Sequence, residues 1–195
     1  PRAARVSRAR AAYLRRRGLR GPWTLEGELL PAARTAVVLP ALGEGAFLPE
    51  TLASLLPGET PAQVVVVVNN RPPGHADPAQ AADNRETLEA LRAGRLACPG
   101  AALAWVDAAS PGREIPPGEG VGTARKIGLD LALGLLDAAD GAVLASLDGD
   151  SPAAPGYLDA LAAFGEAPGV WAGWCDFEHP LDAPAMAAYE LHIRC

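Results

Sequence analysis

Five consecutive valines, Val64 to Val68, preceded by Gln63 and closed by Asn69-Asn70-Arg71-Pro72-Pro73, constrain this chain more than any other stretch. β-branched side chains lose rotamer freedom in a helix and pack well on a pleated surface. A run without polar alternation has no face to show to water, so it reads as a strand buried on both sides, as in a parallel sheet covered by helices. The rest of the chain supplies those layers. Thr35 to Leu39 reads as a short buried strand closed by Pro40, Leu103 to Val106 as another ending at Asp107, and Val143, Leu144 and Leu147 mark one that runs into Asp148. Between them lie three helical patterns. One tolerates Pro49 in its first turn and turns Leu52, Leu55 and Leu56 inward. The next is placed by Leu88 and Leu91, with Asp83 and Glu86 spaced as a capping box after a polar loop. The third is long, from residue 122 to 138, with Ala124, Ile127, Leu131 and Leu135 on one face. A helix near 155–164, a strand near 169–175 and a final helix from 184 complete the pattern. The alternation predicts an α/β fold with a doubly wound, mostly parallel sheet, and ligands at the carboxyl ends of its strands.

The 195 residues divide into an Arg-rich arm and connector over 1–34 and the strand–helix domain over 35–195. The net charge of -6 hides an asymmetry. Residues 1–20 hold eight Arg and no acid, whereas the remainder carries 9 Lys+Arg against 23 Asp+Glu. The arm, residues 2–20, is suited to water or to peripheral contact with an anionic membrane, and the acidic body offers no surface for nucleic acid. Cys98, Cys175 and Cys195 are odd in number and widely spaced, which points to a reducing compartment without a disulfide framework or zinc site. No apolar run approaches the ~18 residues of a membrane span, and the arm lacks the apolar segment of a signal peptide. The expected location is cytoplasmic, with the arm placed to meet the inner face of a membrane. The chain opens without Met and stops inside a helical pattern, so it reads as a piece of a longer protein, cut on its C-terminal side.

The chemistry concentrates at Asp148-Gly149-Asp150. Residues at i and i+2 of an extended segment point the same way, and the glycine between them permits close approach of the backbone. Two such carboxylates suit Mg²⁺ or Mn²⁺, with phosphate oxygens and water completing the coordination. In GEGVGTARKIG (118–128), glycines precede a helix whose first turn carries Arg125 and Lys126. Cations there oppose the helix dipole at roughly 0.3–1 kcal/mol each, a conflict that a bound phosphate removes. A parallel sheet brings these groups to one edge with Pro40 to Glu44, Asn69, Asn70 and Asp107. The segment from Asp148 is not an EF-hand, because Pro152 and Ala153 stand where that loop needs other residues. His179 is a further candidate ligand, while His75 and His192 read as surface residues. Neither a Ser/His/Asp arrangement nor a Walker loop is present.

Four blocks together, TAVVLPALGEGAFLPETLASLL, VVVVVNN, VGTARKIGLDLAL and LASLDGDSPAAPGYL, resemble the inverting glycosyltransferases of family 2, which have the GT-A fold. The resemblance covers residues 35–178. It implies a metal-dependent transfer of a sugar from a nucleoside diphosphate sugar to an acceptor hydroxyl. By that resemblance Pro40, Ala41 and Glu44 line the nucleoside pocket, with Asn69, Asn70 and Asp107 nearby and Arg125 and Lys126 toward the phosphates. Asp148 and Asp150 are the metal-binding DXD motif. The chain departs from the family at Asn69-Asn70, where an Asp usually meets the base; an amide both donates and accepts, so the base is left open. The family's catalytic base is an acid further along, and Asp176 and Glu178 come early for it. The alternative is a sugar-nucleotide-binding domain without catalysis. A nucleotidyltransferase would need a glycine-rich loop where ALGEGAF stands, and a DXD phosphatase would need its motif on the first strand.

Overall fold

The valine run is the centre of the sheet. The computed structural model describes residues 2–137 and 141–176. In chain order it contains α1 (Arg2–Arg17), β1 (Leu25–Gly27), β2 (Thr35–Ala41), α2 (Leu48–Ser54), β3 (Ala62–Asn69), α3 (Pro78–Arg92), β4 (Ala101–Ala108), α4 (Val121–Leu135), β5 (Val143–Ser146) and α5 (Tyr157–Glu166). The five strands form one sheet in the order β1-β4-β3-β2-β5. β2, β3, β4 and β5 are parallel, and β1 lies antiparallel against β4. The chain is therefore α/β, with a mostly parallel sheet flanked by helices.

Alternate valines of β3 serve opposite layers. Val64, Val66 and Val68 join Val37, Leu39, Leu48, Leu52, Leu88 and Leu161 under α2, α3 and α5. Val65 and Val67 join Val38, Val106, Ile127 and Ala132 under α4. α4 lies close to the sheet because residue 128 is glycine: a Cβ there would meet Val38 Cγ1 and come within 2.7 Å of Val67 Cγ2. On the outer side of α4, α1 docks through Arg10, which donates to the carbonyls of Leu133 (3.1 Å) and Leu136. Tyr13 donates to Asp130 at 3.0 Å and receives Lys126. Among the described residues no helix is long and apolar enough to cross a membrane.

The polar head of β3 is as informative as its valines. Gln63 is wholly buried. Its Nε2 donates to the carbonyls of Ala102 (2.8 Å), Val64 (2.9 Å) and Glu28 (3.2 Å), and its Oε1 accepts from the Leu30 N–H at 2.8 Å. One side chain thus fastens the connector to the amino end of the sheet. The connector carries β1, three residues that are too short for a periodic signal.

Three sequence expectations differ from the fold. α3 starts at Pro78, capped by Asp77, whose carboxylate accepts from Ala79 N–H at 2.7 Å; Asp83 lies inside the helix and is not its cap. Leu56 follows α2 and is 49% exposed instead of inward. Residues 169–175, expected as a strand, pair with no strand among the described residues, and Trp171 and Trp174 are 90% and 95% exposed. The expected helix from 184 and His179 lie outside the described residues, as do Glu178, His192 and Cys195.

Replacing Gln63 with Leu keeps the volume but leaves the Leu30 N–H and the Glu28 and Ala102 carbonyls without this partner. The expected loss is about 1–3 kcal/mol in equilibrium denaturant unfolding. A Gln63→Leu protein as stable as the parent would show that the connector is held by other means.

Candidate functional site

The site follows from the order of the strands. The chain moves from β2 to β3 to β4 in one direction, then α4 carries it back so that β5 pairs with the other side of β2. Such a reversal leaves a crevice between the two diverging loops at the carboxyl ends, and ligands of open α/β sheets bind there. Pro40 helps to open it. The ladder between β2 and β5 runs from Thr35 with Val143 to Val38 with Ser146, and Leu147 N–H donates to the Val38 carbonyl at 3.0 Å. Pro40 faces the same side two residues later, where it has no N–H to extend the ladder. β2 itself continues two residues further than expected, to Ala41, through its pairing with β3.

Gly149 is buried in this gap, with Asp148 and Asp150 exposed on either side of it. A Cβ on Gly149 would meet Glu44 Oε2 and would stand 3.0 Å from the Pro40 carbonyl oxygen. A side chain here would displace the Glu44 carboxylate and press on the Pro40 carbonyl, so the glycine lets the two carboxylates lie close against the loop that follows β2. Glu44 Oε2 is buried without a hydrogen-bond partner. Burial, then the negative charges of Asp150, Asp148 and Asp83, push the Glu44 carboxyl up to about 7, against a lowering by Arg125. Excess negative charge collects in the crevice.

α4 starts at this edge. Its N-cap, Gly120, offers no side-chain bond and its first turn has no acid, so its amino end presents backbone donors and Arg125. Arg125 pairs with Asp148; the two side chains are 37% and 50% exposed. Exposed pairs of this kind contribute about 0–1 kcal/mol, so the contact opens at little cost. Arg125 Nε, by contrast, is buried and has no partner. Lys126 turns elsewhere, to Asp130 at 2.8 Å and to Tyr13 of α1.

The loops after β2 and β3 are joined by residues that sequence reasoning did not select. Asn84 of α3 is 1% exposed. Its Oδ1 accepts from Gly43 N–H at 2.9 Å, while its Nδ2 donates to the Asn69 carbonyl at 3.0 Å and to Asn70 Oδ1 at 3.1 Å. Asp83 accepts from Gly45 N–H at 2.9 Å. The two residues hold Glu44 between anchored neighbours. Asn70 also ties β3 to β4, donating to the Ala108 carbonyl at 3.0 Å and accepting from Ile115 N–H at 2.9 Å. Arg71 was likewise passed over: its Nε donates to the Glu119 carbonyl at 3.2 Å, which sets the guanidinium beside the start of α4. Its place directly after Asn69-Asn70 was the available signal.

Asp107 stands at the carboxyl end of β4, and its oxygens are committed within the protein. They accept from Arg92 at 2.8 Å, Ser110 N–H at 2.9 Å and Ala109 N–H at 3.1 Å. Burial alone would raise its pKa, but the hydrogen bonds from Ser110, Ala109 and Arg92 outweigh it and hold the carboxyl below its ordinary range. The structure thus brings together Pro40, Ala41, Glu44, Arg125, Asp148 and Asp150. Asn69 and Asn70 join them through Asn84, whereas Lys126 and Asp107 are engaged with α1 and Arg92.

Among the described residues no group of three or more His, Cys, Asp or Glu is arranged to hold a metal ion by itself. The donor set still fits Mg²⁺ or Mn²⁺ bound jointly with a phosphate ligand. It consists of hard carboxylate oxygens, in surroundings where the acids outweigh the one opposing cation, Arg125, with an orphaned buried oxygen on Glu44.

Two substitutions test this arrangement. Glu44 has an ordinary pKa of 4.5 and is raised to about 7 in the fold, so its charge costs stability as pH rises through that interval. Glu44→Gln is expected to stabilise the protein relative to the parent at about pH 8 and to do little at about pH 5, measured by denaturant unfolding. Parallel pH profiles would mean that the crevice carries no such strain. Asn84→Ala is expected to cost about 1–3 kcal/mol by orphaning Gly43 N–H and the Asn69 carbonyl, and to weaken ligand binding in the crevice. No family model, curated protein or solved structure matches the chain, so the reading of this crevice rests on its geometry and chemistry.

Proposed function

We propose that the protein is a metal-dependent glycosyltransferase of GT-A type, resembling family 2, that moves a sugar from a nucleoside diphosphate sugar to an acceptor hydroxyl with inversion. The observation that carries the reading is the convergence of Asp148-Gly149-Asp150, the loop after β2 and the uncapped start of α4 at the reversal point of the sheet. The nucleoside would lie against Glu44, over the buried Pro40 and Ala41, with the buried Asn69 and Asn70 behind them. Its diphosphate fits the amino end of α4, where backbone donors and the dipole favour anions.

Asp148 and Asp150 would hold Mg²⁺ or Mn²⁺, which supplies Lewis-acid neutralisation of the leaving diphosphate. The chain's own contribution is positional. Asp148 exchanges its contact with Arg125 for the incoming ligand, and the freed guanidinium stands where negative charge develops on the leaving group. Arg71 adds a second cation at the start of α4. Asn84 and Asp83 keep the loop after β2 rigid, so that the pocket does not have to be ordered on binding.

Thermal unfolding with UDP, GDP, ADP and TDP, each with and without Mn²⁺, tests the reading. One nucleotide at ~100 times its Kd should stabilise the protein by ~2.7 kcal/mol, only when the metal is present, and Asp148→Ala should remove the effect. If none of the four shifts the melting temperature, the assignment of the crevice fails. A shift without sugar transfer from the matching donor would support a binding domain without catalysis.

A further inference from the structure

We propose that α1 is a docking surface for the anionic face of a phospholipid bilayer, held on the body of the protein by its inner side and presenting arginines outward. The inner side is fixed by specific bonds. Arg10 donates to the last carbonyls of α4, and the Tyr13 hydroxyl, the Leu19 N–H and Lys126 all meet Asp130. Lys126 also lies 5.2 Å from the centre of the Tyr13 ring. These contacts use one arginine. Arg8, Arg15 and Arg16 are exposed at spacings i, i+7 and i+8, which place them on one side of the helix. Arg17 and Arg20 are exposed at its end, beside Tyr13 and Leu19, which are 41% and 39% exposed.

Three features match this surface to lipid headgroups. No acid lies within residues 1–20 to neutralise the arginines, although the rest of the chain holds 23. Arginine forks pair with phosphate oxygens, and a cluster of four to eight such cations on a helix is drawn to anionic lipid at roughly 1 kcal/mol each. Ala11 and Ala12 lie between these arginines on the side of α1 away from α4, so nothing bulky keeps the cations from a plane of headgroups. A nucleic acid fits less well, because any path beyond this single helix meets the acidic body. A flat anionic surface touches the helix alone.

The experiment is co-sedimentation of the full chain with vesicles of phosphatidylcholine, or of phosphatidylcholine with about one third phosphatidylglycerol. Binding is expected to the anionic vesicles only, to fall steeply between about 0.05 and about 0.5 M salt, and to weaken about a hundredfold or more in Arg15→Glu/Arg16→Glu/Arg17→Glu. Circular dichroism and the melting temperature check that this variant folds. If it does not, the milder Arg8→Gln/Arg15→Gln variant and the salt dependence of the parent decide the matter. Failure to bind the anionic vesicles, equal binding to both compositions, or binding unchanged by the substitutions overturns the proposal. Tighter binding to duplex DNA or RNA than to vesicles at equal phosphate also overturns it, and points to a nucleic-acid partner.

Discussion

The return of β5 to the free side of β2 is the constraint on which the candidate site depends. Had the chain continued outward from β4, Asp148 and Asp150 would end a strand far from the loop that carries Glu44. The long crossover of α4 makes the return possible, and Gly128 lets that helix settle onto Val38 and Val67. The same helix begins at the crevice and ends under Arg10. Placing α4 therefore sets three things at once: the gap beside Pro40, the position of Arg125, and the support for α1.

Electrostatics in the crevice follows from that packing. Asp150, Asp148 and Asp83 all act on Glu44, while Arg125 is the cation that opposes them there. The fold tolerates this because Asp148 and Asp150 stay exposed to water, and because Glu44 is able to take a proton instead of a charge. Asp107 shows the contrasting solution. It is more deeply buried, yet three directed hydrogen-bond partners keep it ionised. Asp107 has its partners built in and serves the framework; Glu44, whose neighbours are mostly like charges, has no hydrogen-bond partner on its buried oxygen.

Much of this was legible in the sequence where burial is two-sided. The valines of β3 and the TAVVL segment of β2 have no alternative to a covered parallel sheet, and the alternation around them yields the remaining parallel strands. The start of α3 was missed because its first turns are polar and lack an apolar stripe, so Asp83 drew attention that belonged to Asp77 and Pro78. β1 was missed because three residues carry no period. The segment at 169–175 misled through its Val170, Trp171 and Trp174, whose apolar character was read as a strand although they lie exposed. In the crevice, a parallel sheet already implied that the Asp148-Gly149-Asp150 turn and the loop carrying Glu44 share an edge, but Asn84 gave no signal. A buried asparagine in a helix announces nothing until the loops it joins are seen together.

The valine run has a consequence for the unfolded chain. Gln63 to Val68 has high β propensity, no charge and no proline, the composition of a segment that stacks with copies of itself. In the fold both of its edges are taken by β2 and β4 and both of its faces by helices, so every residue of it is hidden. Stripping α4 from the sheet uncovers Val65 and Val67 while the strand remains intact. That opening bares one face and leaves both edges paired, so stacking with a second copy of the strand has to wait until β2 or β4 also comes away.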